Sequence, residues 1–85
     1  MTATAPGTTP LTKEIDARGS FCPGPLMELI RAVKAAQVGD TIGVLSSDRG
    51  SITDIPAWAA KAGHVLVAVE DAGGDVKRIV VRKAR

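Results

Sequence analysis

The chain has 85 residues, 45% of them hydrophobic, a formal net charge of +2, one cysteine and one histidine. That length and apolar content describe one small folded domain and exclude a wholly disordered chain. The single cysteine excludes an intrachain disulfide, Cys22 and His64 are too few soft ligands for a structural metal site, and no apolar run reaches membrane-spanning length.

Residues 1–12 are rich in Thr, Ala, Pro and Gly and have no apolar period. They are expected to form a disordered tail, with the folded domain at 13–85. The tail lacks the basic start and apolar centre of a signal peptide. A free thiol without an export signal points to the reducing cytoplasm. Lys13–Ala17 reads as a first strand, broken by Gly19 and Ser20. Pro23 and Pro25 then fit the first turn of a helix, where a missing N–H costs nothing. This helix is predicted to start at or just before Pro25 and to run to about Gln37. Leu26, Leu29, Ile30 and Val33 form its apolar stripe, and Glu28, Arg31 and Lys34 its polar side.

Thr41–Leu45 is the second predicted strand. Ser51 and Asp54 resemble a capping box, Asp54 could itself be the cap, and Pro56 favours a late helix start. Ile55, Trp58, Ala59 and Ala62 give the apolar face of this second helix, and Gly63 its stop. His64–Glu70 is apolar on both faces and is predicted to be a central strand. A turn at Ala72–Asp75 leads to a last strand, Val76–Lys83, with Ile79 and Val81 on one face and Arg78 and Arg82 on the other. The order βαβαββ predicts an α+β two-layer sandwich: two helices packed on one face of a four-stranded mixed sheet.

Chemistry concentrates at Cys22. A lone cysteine in a small domain is more often a buried small hydrophobe, but the flanking prolines and the polar run Arg18-Gly19-Ser20 argue for a presented thiol. A thiol at a helix start sits in a positive field that favours the thiolate; in such settings its pKa falls to roughly 3.5–7.5 from about 8.5. Pro23 and Pro25 fix the backbone around Gly24, and Gly24 leaves room for an approaching group. Arg18 could add positive charge, and Asp16 could orient the loop. Phe21 and Trp58 read as core, Met27 as filler and His64 as a polar strand-edge residue. The basic residues Lys77, Arg78, Arg82, Lys83 and Arg85 read as a solvated face, or as a surface for an acidic protein partner.

The pattern Asp16-Ala17-x-Gly19-x-x-Cys22-Pro23-x-Pro25, followed by Gly39-Asp40, Asp54-Ile55-Pro56 and Gly63-His64, resembles the TusA/SirA-like sulfur-carrier family over roughly residues 13–83. The resemblance implies a small βαβαββ protein that accepts sulfane sulfur as a persulfide on Cys22. The donor would be a cysteine desulfurase or a rhodanese. The acceptor would be a DsrE-like or other protein, in tRNA thiolation, cofactor maturation or dissimilatory sulfur oxidation. Asp16, Gly19, Pro23, Gly24 and Pro25 would support the site, with Arg18, Glu28, Arg31 and Lys34 as docking residues. No cofactor, metal, membrane or direct nucleic-acid contact is expected, and the chain is expected to work as a monomer. The alternative is a small regulatory or nucleic-acid-binding module with a redox-sensitive cysteine. Against nucleic acid stands an aromatic content of 2%, too low for a stacking platform.

Overall fold

A computed structural model describes residues 11–21 and 23–85. Its elements are β1 (Lys13–Asp16), α1 (Gly24–Ala35), β2 (Thr41–Ser46), α2 (Arg49–Ala62), β3 (Val65–Asp71) and β4 (Lys77–Arg82). The sheet order is β1-β2-β4-β3. β1 and β2 are parallel, joined through α1, and the other two pairings are antiparallel. Both helices pack on one side of this mixed sheet, the predicted two-layer α+β architecture.

Two periodicities meet in the core. Leu29 and Val33 recur at helical spacing on α1, and Ile55 and Ala59 do so on α2. In the sheet the period is two: Ile42 faces Val81 and Val44 faces Ile79 across the β2–β4 ladder, with all four side chains buried. Truncating Leu29 to Ala should cost about 2–5 kcal/mol.

β3 is an edge strand, not the central one that its apolar run suggested. The short turn after Asp71 makes β3 the hairpin neighbour of β4, and the other side of β4 is already taken by β2. β4 is therefore the doubly paired strand, and its Ile79, Val80 and Val81 are all buried. Val65, Leu66, Val67 and Val69 of β3 remain 40–45% exposed. A bulge between Leu66 and Ala68 interrupts the ladder, a feature that discourages edge-to-edge pairing.

The start of α2 also differs from expectation. The helix begins at Arg49, and its cap is Asp48, whose carboxylate accepts from the Ser51 N–H at 3.0 Å and from Ser51 Oγ at 2.9 Å. Pro56 consequently lies inside the helix. An interior proline costs about 3 kcal/mol, offset here by the strong cap and by complete burial of Ile55 and Ala59. Gly63 ends the helix in the left-handed region at φ +81, as predicted.

On the helix-free face, Leu11 rests over Gly43, where an added Cβ would come within 2.7 Å of Leu11 Cδ1. Thr12 donates its N–H to the Thr41 carbonyl at 2.7 Å and accepts from the Thr41 N–H at 3.1 Å through Oγ1. Leu11 and Thr12 are thus tied to the sheet. The rest of the expected tail, residues 1–10, lies outside the described residues.

Candidate functional site at the start of the first helix

β1 ends at Asp16, and the ladder continues for one bond, from the Ala17 N–H to the Leu45 carbonyl at 3.0 Å. Ala17 is buried. The chain then turns: Ser20 N–H donates to the Ala17 carbonyl at 3.1 Å, with Gly19 at φ +84. This left-handed conformation explains the glycine. Arg18 folds back on Asp16 in a fork, with Nε to Oδ1 at 2.8 Å and Nη2 to Oδ2 at 2.7 Å. Its backbone N–H also reaches Oδ1, at 3.1 Å. These hydrogen bonds from Arg18 lower the Asp16 pKa from 3.8 to about 2. The pair is more than half exposed, so it orients the loop more than it stabilises the fold. The positive charge of Arg18 is locally answered by Asp16.

Beyond the turn, the Gly24 N–H donates to the Phe21 carbonyl at 2.7 Å, closing the chain across the interval that holds Cys22. Cys22 itself lies outside the described residues; its neighbours on both sides are described. Pro23 stands at the N-cap position and Pro25 is buried against the core. Among the described residues no side chain caps α1, and no acidic residue occupies its first turn. The backbone N–H groups of this first turn make a positive helix end with no first-turn carboxylate beside it. At Gly24 an added Cβ would meet only Ser20 Cβ, at the ordinary distance of 3.5 Å. Among the described residues, packing therefore tolerates a Cβ at Gly24 without a clash.

Phe21 is not core. It is 77% exposed, and Met27, one turn into α1, is 48% exposed. The hydrogen bond to Gly24 and the proline-fixed backbone hold Phe21 in a loop outside the helix–sheet layer. A large apolar side chain beside the motif cysteine was legible as a residue type; its exposure was not.

Glu28, Arg31 and Lys34 are all exposed on α1, but they do not form one surface. Glu28 and Arg31 border a groove against β1 that also holds Lys13, Glu14 and Asp16. Lys34 lies on the other flank, beside Trp58, Lys83 and Arg85. The basic C-terminal residues divide too. Lys77 pairs with Asp71, and Arg78 with Glu14 at 2.6 Å and Glu70 at 3.8 Å. Lys83 and Arg85 belong to the α2 side. Trp58 is half-buried against the core, its ring 5.4 Å from that of His64. His64 Nδ1 accepts from the Ala84 N–H at 3.1 Å, a structural role at the start of the strand. No described helix is long and apolar enough to cross a membrane.

Residues 13–83 match the family described as sulfurtransferase TusA. The chain belongs to the TusA family. A protein of Archaeoglobus fulgidus named as a candidate sulfur carrier is 55% identical over 71 residues, covering 84% of this chain and 96% of its own. The sulfur carrier protein TusA of Allochromatium vinosum is 32% identical over 62 residues, 73% of this chain and 82% of its own. The crystal structure of a SirA-like protein from Desulfitobacterium hafniense has the same fold, with a TM-score of 0.75. It is 23% identical and covers 87% of this chain and 100% of its own. TusA membership gives the chain a sulfur-carrier role, in which donor and acceptor proteins are the implied partners.

Proposed function

We propose that the domain at 13–85 carries sulfane sulfur as a persulfide on Cys22. The Cys22 thiolate attacks the outer sulfur of a donor persulfide. The new S–S bond forms as the old one breaks, and the donor leaves as a thiolate. The reverse attack, by an acceptor thiolate on the outer sulfur held at Cys22, completes the relay. Neither step needs a cofactor or a net oxidant, because each exchanges one S–S bond for another. The observation that carries this reading is the family match over 13–83, which contains the cysteine motif at the start of α1.

Several features support the reading. The chain has no second cysteine to attack the persulfide and release sulfide. Asp16 and Gly19 shape the approach to the motif, and Pro23 and Pro25 replace a cap with ring constraints. The donor is a cysteine desulfurase or a rhodanese, and the acceptor a DsrE-like or similar protein, serving tRNA thiolation, cofactor maturation or sulfur oxidation. The chain acts in the cytoplasm as a monomer.

The test is mass spectrometry after incubation with a desulfurase and cysteine, and separately with a rhodanese and thiosulfate. One reductant-labile sulfur atom is expected on the native chain and none on Cys22→Ser. An unmodified native chain under both regimes would overturn the proposal.

A further inference from the structure

The cleft between the C-terminal halves of α1 and α2 differs in charge from the groove on the other side of α1. Ile30, Val33 and Trp58 form its apolar floor, Lys34, Lys83 and Arg85 stand around it, and no described side-chain carboxylate lines its volume of about 440 Å³. None of these cations takes part in a described ion pair, whereas Lys77 and Arg78 of the same C-terminal run are both paired.

The fold holds Lys83 in place and brings Arg85 to the cleft. The Lys83 backbone is fixed by bonds to Gly39 and Asp40 at 2.7 and 2.9 Å, and its Nζ donates to the Ala36 carbonyl at 2.7 Å. Arg85 lies over Gly63, where an added Cβ would meet its Cδ at 2.7 Å. The Ala84 N–H bond to His64 Nδ1 ties this end of the chain to the cleft wall. With Nδ1 so used, a neutral His64 ring carries its proton on Nε2, a further donor in the cleft lining.

The ordinary explanation for cations here is the negative end of each helix. Each C-terminus carries about −0.5 of a charge. Three cations against two such ends leave a positive surplus over an apolar floor, reduced by one charge but not cancelled by a free carboxylate on Arg85. That combination suits a segment bringing carboxylates together with an apolar side chain. Ile30 and Lys34 lie about 9 and 15 Å along α1 from Gly24, at about 1.5 Å per residue. A partner contact of ordinary size, about 800 Å² per side, is wide enough to reach from the cleft to the start of α1.

We infer that this cleft docks an acidic peptide segment of a partner protein, with an apolar side chain of that segment seated against Trp58. The inference rests on the carrier reading, which supplies the need for partner proteins.

The probes are synthetic peptides of alternating Glu and Leu, with Gln-for-Glu controls, titrated into the isotope-labelled full chain. Trp58 is the single tryptophan, so its indole N–H signal and its fluorescence report the cleft directly. The expected result is saturable, salt-sensitive binding that shifts Trp58 and His64. Binding should weaken roughly tenfold in the double variant Lys34→Glu/Arg85→Glu, provided circular dichroism shows it folded. Should that variant not fold, Lys34→Gln alone should weaken binding by a smaller factor. Equal binding of the Gln peptides, shifts confined to residues 18–24, or no shift up to millimolar peptide would overturn the inference. In parallel, the native chain is loaded from inorganic polysulfide, which needs no protein partner. Loading without peptide binding removes the cleft and keeps the carrier; peptide binding without loading does the reverse.

Discussion

The two helices begin at the same end of the sheet, each following one strand of the parallel pair β1 and β2, yet their starts are built in opposite ways. At α2 the polar groups are mutually satisfied. Asp48 accepts from Ser51, Ser46 Oγ accepts from the Asp48 N–H at 3.1 Å, and Ser46 and Ser51 are fully buried. At α1 no described side chain caps the helix, Pro23 and Pro25 supply rigidity without hydrogen bonds, and Phe21 stands in solvent. A capped helix end uses its donors and its field internally. An uncapped one keeps the field for whatever approaches it. The first arrangement stabilises the fold, and the second leaves the helix field open, which suits the exchange chemistry proposed for Cys22.

The strongest break of this contrast is a pair of reciprocal variants. Cys22→Ser should abolish sulfur loading, read by mass, while leaving the circular dichroism spectrum unchanged. Asp48→Ala should do the opposite: a loss of about 1–2 kcal/mol in urea unfolding, with loading from polysulfide retained. Loss of loading in Asp48→Ala, in protein that is still folded, would mean that the two helix starts are not independent.

A smaller effect is expected at Phe21. Its exposure means that Phe21→Ser removes little packing, so stability should change by less than about 0.5 kcal/mol. If Phe21 contacts a partner, protein-to-protein transfer should slow roughly tenfold while loading from polysulfide stays the same. Equal slowing of both would place Phe21 in the chemistry rather than in docking. Gly24→Ala tests the space above the motif: the added Cβ fits internally, so stability should hold. Transfer should fall only if a partner occupies that space.

Much of the core was legible from spacing: Leu29 and Val33 on α1, Ile55 and Ala59 on α2, and Ile79 and Val81 on β4. The position of β3 was not legible, because its apolar run describes composition on two faces, whereas strand order is set by which strand the hairpin leaves unpaired. The start of α2 was ambiguous for a different reason. Ser51 and Asp54 share their spacing with Asp48 and Ser51, and the structure uses the earlier pair despite the proline that follows. The Asp16–Gly19–Cys22 motif was readable as chemistry. The exposure of Phe21 depends on a loop bond to Gly24, and the α1–α2 cleft on segments far apart in the chain; neither leaves a local pattern.

The smallest predicted effect concerns the Asp16–Arg18 fork, which shapes the loop before the motif without capping the helix. Asp16 titrates at about 2 in the folded chain against 3.8 ordinarily. A carboxylate whose folded pKa is depressed contributes stability that is fully present above the ordinary value and is lost as pH falls through 3.8 toward 2. The difference in melting temperature between the native chain and Asp16→Asn should therefore be small and constant above about pH 5, and should shrink toward zero near pH 2. The Gly19 amide signal should move over the same interval, because the fork fixes the turn that holds Gly19 in its left-handed conformation. A pH-independent difference, with Gly19 unmoved between pH 5 and 2, would show that the turn stands without the fork. The loop would then owe its form to Gly19 and the prolines alone.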